Sequence, residues 1–133
     1  MSVGTKSRAF VDFIARLFVA SLFLYAGIGK ILDYHGTAAY MAAYGVPTDL
    51  LPIVIAVELL GSICLILGLL TRPAATILAL FSLAAIVIFH HVLDSQAAVI
   101  VTLAELGLTG GLMQIAIHGP GCISIDHHHR RRT

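Results

Sequence analysis

Two glutamates lie inside apolar runs long enough to cross a bilayer. Glu58 falls in residues 50–70, LLPIVIAVELLGSICLILGLL, and Glu105 in residues 97–117. An ionisable side chain at such depth costs on the order of 3 kcal/mol unless it is paired, protonated or in contact with water, so each glutamate marks a candidate functional site. At 1.5 Å per residue both come about 11 to 12 Å below one membrane surface, on helices of the same sense. Lys30 and His90 approach that surface on the other two runs, of opposite sense. Helical side chains lean toward their own N-terminus, so the glutamates lean outward, Lys30 and His90 lean inward, and the four groups converge. Two carboxylates brought together in low dielectric repel, so one must stay protonated unless a cation lies between them. Lys30 is the candidate cation. If it pairs with one glutamate, the other is left as a buried acid that can release its proton toward the near surface, which suits proton or quinone chemistry. The competing reading is a charge cluster that only locks the helices together. Such bonds average roughly 0.6 kcal/mol in membrane bundles, so stability alone is a weak reason for two intramembrane glutamates.

The elements that must position these groups follow from composition. Of 133 residues, 59% are apolar and 11% charged, far outside the range of a soluble domain. About 20 apolar residues cross the hydrocarbon core, and in lipid each such run must be a helix. The sequence therefore predicts an all-α integral membrane four-helix bundle forming a single domain over residues 1–133, with helices at about 11–32, 50–70, 74–92 and 97–117 and a tail at 118–133. The first run contains Arg16 and lacks a small-residue cleavage site, so it reads as a helix and not a cleavable signal. Lys6 and Arg8 precede the first run, Arg72 separates the second and third, and Arg130, Arg131 and Arg132 follow the fourth, whereas the other two loops carry no Lys or Arg. That asymmetry predicts both termini in the cytoplasm. Cys64 and Cys122 differ in height and share no motif, and both read as reduced. The formal net charge of +1 gives no sign of a nucleic-acid partner; the partner that composition demands is the bilayer.

In the first helix Arg16, Ala20, Phe23, Gly27 and Lys30 share one stripe, whose small residues and cations mark a protein-facing side. Arg16 reads either as a side chain snorkelling to the near headgroups or as a site residue. The first outer loop carries TAAYMAAYG, a short interfacial helix with Tyr40 and Tyr44 on one side, stopped by Gly45. Two roles are open for it: an anchor lying flat on the surface, or a lid over a site between the helices. His90 and His91 diverge by about 100° on a helix, so they cannot chelate one metal as an i, i+4 pair would. The tail, HGPGCISIDHHHRRRT, begins in a Gly-Pro-Gly turn and reads as an exposed basic segment attracted to anionic lipid.

The runs RLFVASLFLYAGIGKILD, YMAAYGVP and AVELLGSICLILGLLTR, then the glutamate of the fourth helix and the closing HGPGCISID, together resemble the DoxX family of small four-helix inner-membrane proteins, and the likeness covers nearly the whole chain. The resemblance implies a bacterial inner-membrane protein of oxidoreductase type, related to the membrane subunit of a thiosulfate:quinone oxidoreductase, some members of which are linked to oxidative-stress and thiol-handling partners. By motif it carries over Arg16, Lys30, Glu58 and Glu105. The leading expectation is a quinone-linked oxidoreductase subunit in which Glu58, Glu105 and Lys30 handle protons and charge, while His90, Arg16, Tyr40 and Tyr44 contact the cofactor. No redox motif of its own is present, so electrons must come through a bound quinone or a partner subunit. The alternatives are a non-catalytic scaffold that recruits a soluble redox enzyme on the cytoplasmic side, and a carrier of small solutes or metal ions. The carrier path would be narrow unless the protein forms a homo-oligomer, and the Glu/His ligand set is loose, so no metal site is assigned.

Overall fold

A computed structural model describes residues 3–132. Among them six α-helices follow one another: α1 Val3–Leu32, α2 Tyr34–Ala43, α3 Leu51–Leu67, α4 Thr71–Phe89, α5 Gln96–His118 and α6 Ile125–Arg130, with a 3₁₀ turn at Thr48–Leu50 leading into α3. The segments Val3–Leu32, Thr48–Leu67, Thr71–Phe89 and Gln96–His118 are long and apolar enough to cross a membrane, which makes the chain the expected integral membrane four-helix bundle. Large apolar side chains such as Phe18, Leu60, Leu80 and Leu103 are exposed on its outside, as a lipid-facing surface requires.

The ends of the spans are set by identifiable residues. Alpha-helix α1 starts eight residues before the predicted boundary, because nothing between Val3 and Val11 breaks a helix and the polar leader with Lys6 and Arg8 extends it beyond the apolar stretch. Gly68 ends α3 three residues early by adopting the left-handed conformation, with φ of 68°. The start of α4 moves forward to Thr71, with Pro73 in the first turn where its missing N–H costs nothing. Its end moves back to Phe89, leaving His90 as the cap residue. Ser95 caps α5, its hydroxyl accepting from Ala98 N at 3.1 Å.

Packing follows the small residues. Alpha-helix α1 lies most extensively along α3 and α4 along α5, α3 and α4 join the two pairs, and α5 meets α1 only lightly. A Cβ added at Gly27 would come within 2.8 Å of Leu59 Cδ2 and 3.4 Å of Glu58 Cβ, so α1 approaches α3 more closely than any larger residue permits. Gly61 plays the same part between α3 and α4, against Leu78. The core is Ala20, Phe23, Leu65, Ala75, Leu78 and Leu112, gathered from all four spans.

The start of α1 and the α6 segment come to one end of the bundle, here the tail end, and the loop carrying α2 comes to the other, the loop end. The tail is exposed from His128 to Arg132, as the sequence suggests, but the segment before that run docks on the bundle. Ser124 caps α6 through His127 N at 3.1 Å, and Asp126 folds back on the α3–α4 turn, its carboxylate oxygens accepting from Leu70 N and Thr71 N at 2.9 Å each while its own N–H donates to Gly68 O at 3.0 Å. Arg16 is only 1% exposed and does not snorkel. Its guanidinium donates to Leu65 O at 2.8 Å and to Ile123 O of the tail. Two carbonyls, one in the last turn of α3 and one in the tail, hold the two terminal nitrogens of the buried cation, while its Nε is buried without a hydrogen-bond partner.

Burial pushes the Asp126 carboxyl up, but the N–H groups of Thr71 and Leu70 and the charge of Arg130 outweigh it, and the net result is a value below the ordinary carboxylate range. The sign of the linkage follows. A group whose folded pKa is depressed stabilises the fold above its unfolded value, about 4, and that contribution is lost as pH falls toward the folded value. The melting midpoint of the detergent-solubilised protein should therefore fall more steeply below about pH 4 than that of Asp126→Ala, which lacks the titrating group. Parallel curves for the two proteins would remove Asp126 from the acid response.

Candidate functional site

The site is built at the loop end, one residue at a time. Gly27 brings α3 against α1, and Lys30, the next residue along the same stripe, then reaches Glu58: Nζ lies 3.0 Å from Oε1 and 3.0 Å from Oε2. Glu58 is 3% exposed and Lys30 about a quarter exposed, so the carboxylate is sealed and the ammonium keeps one open side. A buried carboxylate with a single ammonium across both oxygens is neutralised without being fully saturated with donors.

The second glutamate has its own partner. Thr102, one turn before Glu105, donates to His90 O at 3.2 Å and to Ala98 O at 2.9 Å, tying α5 to the last turn of α4. That tie holds the His90 ring against α5, where Nδ1 lies 2.7 Å from Glu105 Oε2. Both atoms are buried and lack an aligned hydrogen bond, although the two side chains are each about 30% exposed. The four titratable groups thus sort into two pairs, Lys30 with Glu58 and His90 with Glu105, where the sequence suggested Lys30 as the common cation. His91 turns outward and is exposed.

Both pairs line one cavity of about 420 Å³, within the roughly 300–1,000 Å³ typical of small-molecule sites. Its remaining wall is almost wholly apolar, with Leu22, Phe23, Val54, Phe81, Ile88 and Leu108 among the contributors. Alpha-helix α2 closes it at the loop end. Asp33 caps this helix, its carboxylate accepting from Gly36 N at 3.2 Å, and Met41 is buried beneath it. The helix is clamped to α4 by three rings: Tyr40 stacks on Phe89 at 5.3 Å and 23°, Tyr44 meets Phe89 edge-on at 5.1 Å, and the two tyrosines lie 5.0 Å apart. Tyr40 lines the cavity, whereas Tyr44 only braces Tyr40 and Phe89. Burial, with Tyr44 and then Glu105 nearby, pushes the Tyr40 phenol above its ordinary value and keeps it a neutral donor.

Of the residues singled out from sequence, Lys30, Glu58, His90, Glu105 and Tyr40 meet in this cavity, and Arg16 does not. Arg16 is bound into the tail-end latch, too far along α1 to touch a ligand at the loop end: the fourteen residues separating it from Lys30 correspond to about 21 Å of helix. Sequence reasoning passed over Phe89 and Ser82, because α4 reads as mostly lipid-like until His90 and neither residue carries charge; the signal for Phe89 is an aromatic immediately before the His90 that closes the helix. Asp126 was visible only as one letter of the tail pattern.

The arrangement offers an apolar slot with an aromatic face, an ammonium and an imidazole as donors, and two carboxylates able to exchange protons with them. The DoxX family model matches residues 11–91, which include Lys30, Glu58 and His90. Similar proteins include the inner membrane protein YqjF of Escherichia coli (strain K12), 40% identical over 113 residues that cover 85% of this chain and 87% of YqjF. Another is the inner membrane protein YphA of the same organism, 34% identical over 127 residues covering 90% of this chain and 91% of YphA. No solved structure matches. With most of its length shared with these relatives and more than half of it matched by the family model, this chain belongs to the DoxX family.

Proposed function

We propose that this chain is an inner-membrane subunit of a quinone-linked oxidoreductase system and that the loop-end cavity receives the quinone head. The observation that carries the reading is that two separate acid–base pairs, Lys30–Glu58 and His90–Glu105, line one apolar cavity within the spans. Glu58 lies about 10 Å along α3 from its start and Glu105 about 13 Å along α5, so the cavity is at membrane depth, where a lipid-soluble substrate is at hand. The residues fit such a group: Tyr40 and Phe89 offer ring faces, Lys30 and His90 are donors for its two oxygens, and the remaining wall is apolar.

Reduction of a quinone to the quinol consumes two electrons and two protons. Lys30 orients one oxygen and balances charge there, while Glu58 relays a proton through the ammonium. His90 and Glu105, close but unaligned, hold a proton between them that either can pass on. Alpha-helix α2 keeps bulk water from the slot through Met41 and Tyr40. The electrons come from a redox centre on a partner protein, and because electron transfer decays steeply with distance, that partner docks at the loop end and not at the tail. The gathering of Lys6, Arg8, Arg72 and Arg130 to Arg132 at the tail end supports a cytoplasmic tail end and an outward-facing loop end.

Purification from native membranes should recover quinone in the organic extract, and Glu58→Gln should remove both that quinone and quinol-dependent electron transfer while the variant keeps wild-type helicity. Quinone-free wild-type protein that also fails to transfer electrons with its co-purifying partners would refute the proposal.

A further inference from the structure

The four spans close on one another unevenly. Alpha-helix α1 packs on α3, α3 on α4 and α4 on α5, whereas the last junction, α5 with α1, is made only lightly. Residues three and four apart return to one helix face, which places Val19, Leu22, Ala26 and Gly29 of α1 in one row and Gly111, Leu108, Ala104 and Val101 of α5 in another. The helices run in opposite senses, so the two rows pair off level by level toward the loop end. They touch at the first level: a Cβ at Gly111 would lie 3.8 Å from Val19 Cγ2, an ordinary contact distance. Beyond it they part. Leu22 is 49% exposed and Val101 46%, Ala104 is exposed, and a Cβ at Gly29 would meet nothing within 4 Å. The two helices therefore bound a cleft between this contact and the loop end.

The cleft is continuous with the loop-end cavity. Leu22 and Ala26 on one lip and Leu108 on the other line that cavity, beside Lys30 and Glu105. Every residue of both rows is apolar or glycine, so the cleft offers nothing to hold water or a charged solute, and it lies within the spans, where its open side is hydrocarbon. A polar head in the cavity has little other way out for an apolar tail: Tyr40 and Met41 of α2 cover the loop end, and Ala20, Leu65, Leu78 and Leu112 fill the bundle on the tail side. Ala84 and Ile88 are also exposed beside the cavity, on α4, but both neighbours of α4 pack on it more extensively than α1 packs on α5.

We infer that the cleft between α1 and α5 is the lateral entrance to the loop-end cavity and holds the apolar tail of a polyprenyl quinone whose head the cavity receives, an inference that rests on the quinone reading above.

The test is native mass spectrometry of the full chain in detergent, titrated with a ubiquinone that carries a long polyprenyl tail or with the tailless dimethoxy-methyl-benzoquinone. The wild type should bind both. Ala104→Trp puts a large ring into the cleft at a residue that does not line the cavity, and should weaken the long-tailed quinone about tenfold, the worth of roughly two methylenes of tail contact, while the tailless one binds as to the wild type. Gly107→Trp, off the row on the same helix and with nothing within 4 Å of its Cβ, should change neither. A long-tailed quinone with a photoreactive diazirine on its first isoprene should label the two rows of the wild type, a readout that requires no variant to fold. Unchanged long-tailed binding by Ala104→Trp, or labelling of Ala84 and Ile88 in place of the rows, would overturn the entrance and leave the quinone reading intact. Wild-type protein that binds neither quinone would overturn both. Labelling of the rows by a photoreactive phospholipid that excess quinone does not displace, or disulfide-linked Ala104→Cys dimers that exclude the long-tailed quinone, would also overturn the entrance, giving the cleft to ordinary lipid or to a second copy of the chain.

Discussion

Lys30→Met should lower the stability of the bundle by about 3 kcal/mol, because it strands Glu58 without its counter-ion at membrane depth. Glu58 is 3% exposed and Lys30 Nζ is 3.0 Å from both of its oxygens, so removing the ammonium takes away the buried carboxylate's charged partner. The carboxyl can escape part of the cost by taking up a proton, which sets the upper end of the effect. The cost belongs to the orphaned charge and not to the lost contact, so Lys30→Met with Glu58→Met together should recover most of the stability. Reversible unfolding in mixed micelles checks this. If the single and double variants unfold together, the destabilisation comes from packing around α1 and not from the stranded carboxylate. The pair of variants also separates stability from function, since the double variant should be folded and still unable to support quinol-dependent electron transfer.

Gly68→Ala should release the tail. Gly68 has φ of 68°, a conformation that costs a residue with a side chain about 1 kcal/mol, and its new Cβ would lie 2.3 Å from Ser124 Cβ, 2.6 Å from Arg16 Nη1 and 2.9 Å from the Ser124 backbone. Arg16 cannot move aside without losing Leu65 O, so the tail must move. Its departure also breaks the bonds from Leu70, Thr71 and Asp126, for a total of about 3 kcal/mol with each net bond at about 1 kcal/mol or less. Hydrogen exchange gives the readout: amides of Asp126, His127 and His128, protected by Gly68 O, Ser124 Oγ and Ser124 O, should exchange at open-chain rates in the variant. Gly110→Ala, whose Cβ meets nothing within 4 Å, should leave them protected. Protected tail amides in Gly68→Ala would mean that the latch tolerates the collision by shifting as a unit.

The parts of the molecule legible in the sequence are those set by length, apolarity and depth. Four runs of the right length give the four spans, and the lean of helical side chains brings Lys30 toward Glu58. Depth counting supplies level but not direction around a helix, which is why the pairing of His90 with Glu105 was hidden: it depends on Thr102 fixing the end of α4 against α5. The aromatic clamp of Tyr40, Tyr44 and Phe89 joins two elements far apart in sequence through apolar contact alone, and leaves no periodic trace. The docking of the segment just before the exposed basic run was the larger miss. Histidines and arginines in a row read as solvated, while its docking runs through backbone groups, Leu65 O, Ile123 O, Gly68 O and the N–H groups of Leu70 and Thr71, which every sequence possesses and no composition reveals.

The latch also imposes an order of assembly. Arg16 and Ile123 are 107 residues apart, and α6 is the last described element to be synthesised. The guanidinium therefore enters the membrane region with one of its two carbonyl partners still unmade, and that contact waits for the segment around Ile123. Truncated chains and chains that carry bulky additions just after α6 should accordingly be recognised as unfinished by cellular quality control, even with all four spans in place. An affinity handle belongs at the opposite terminus.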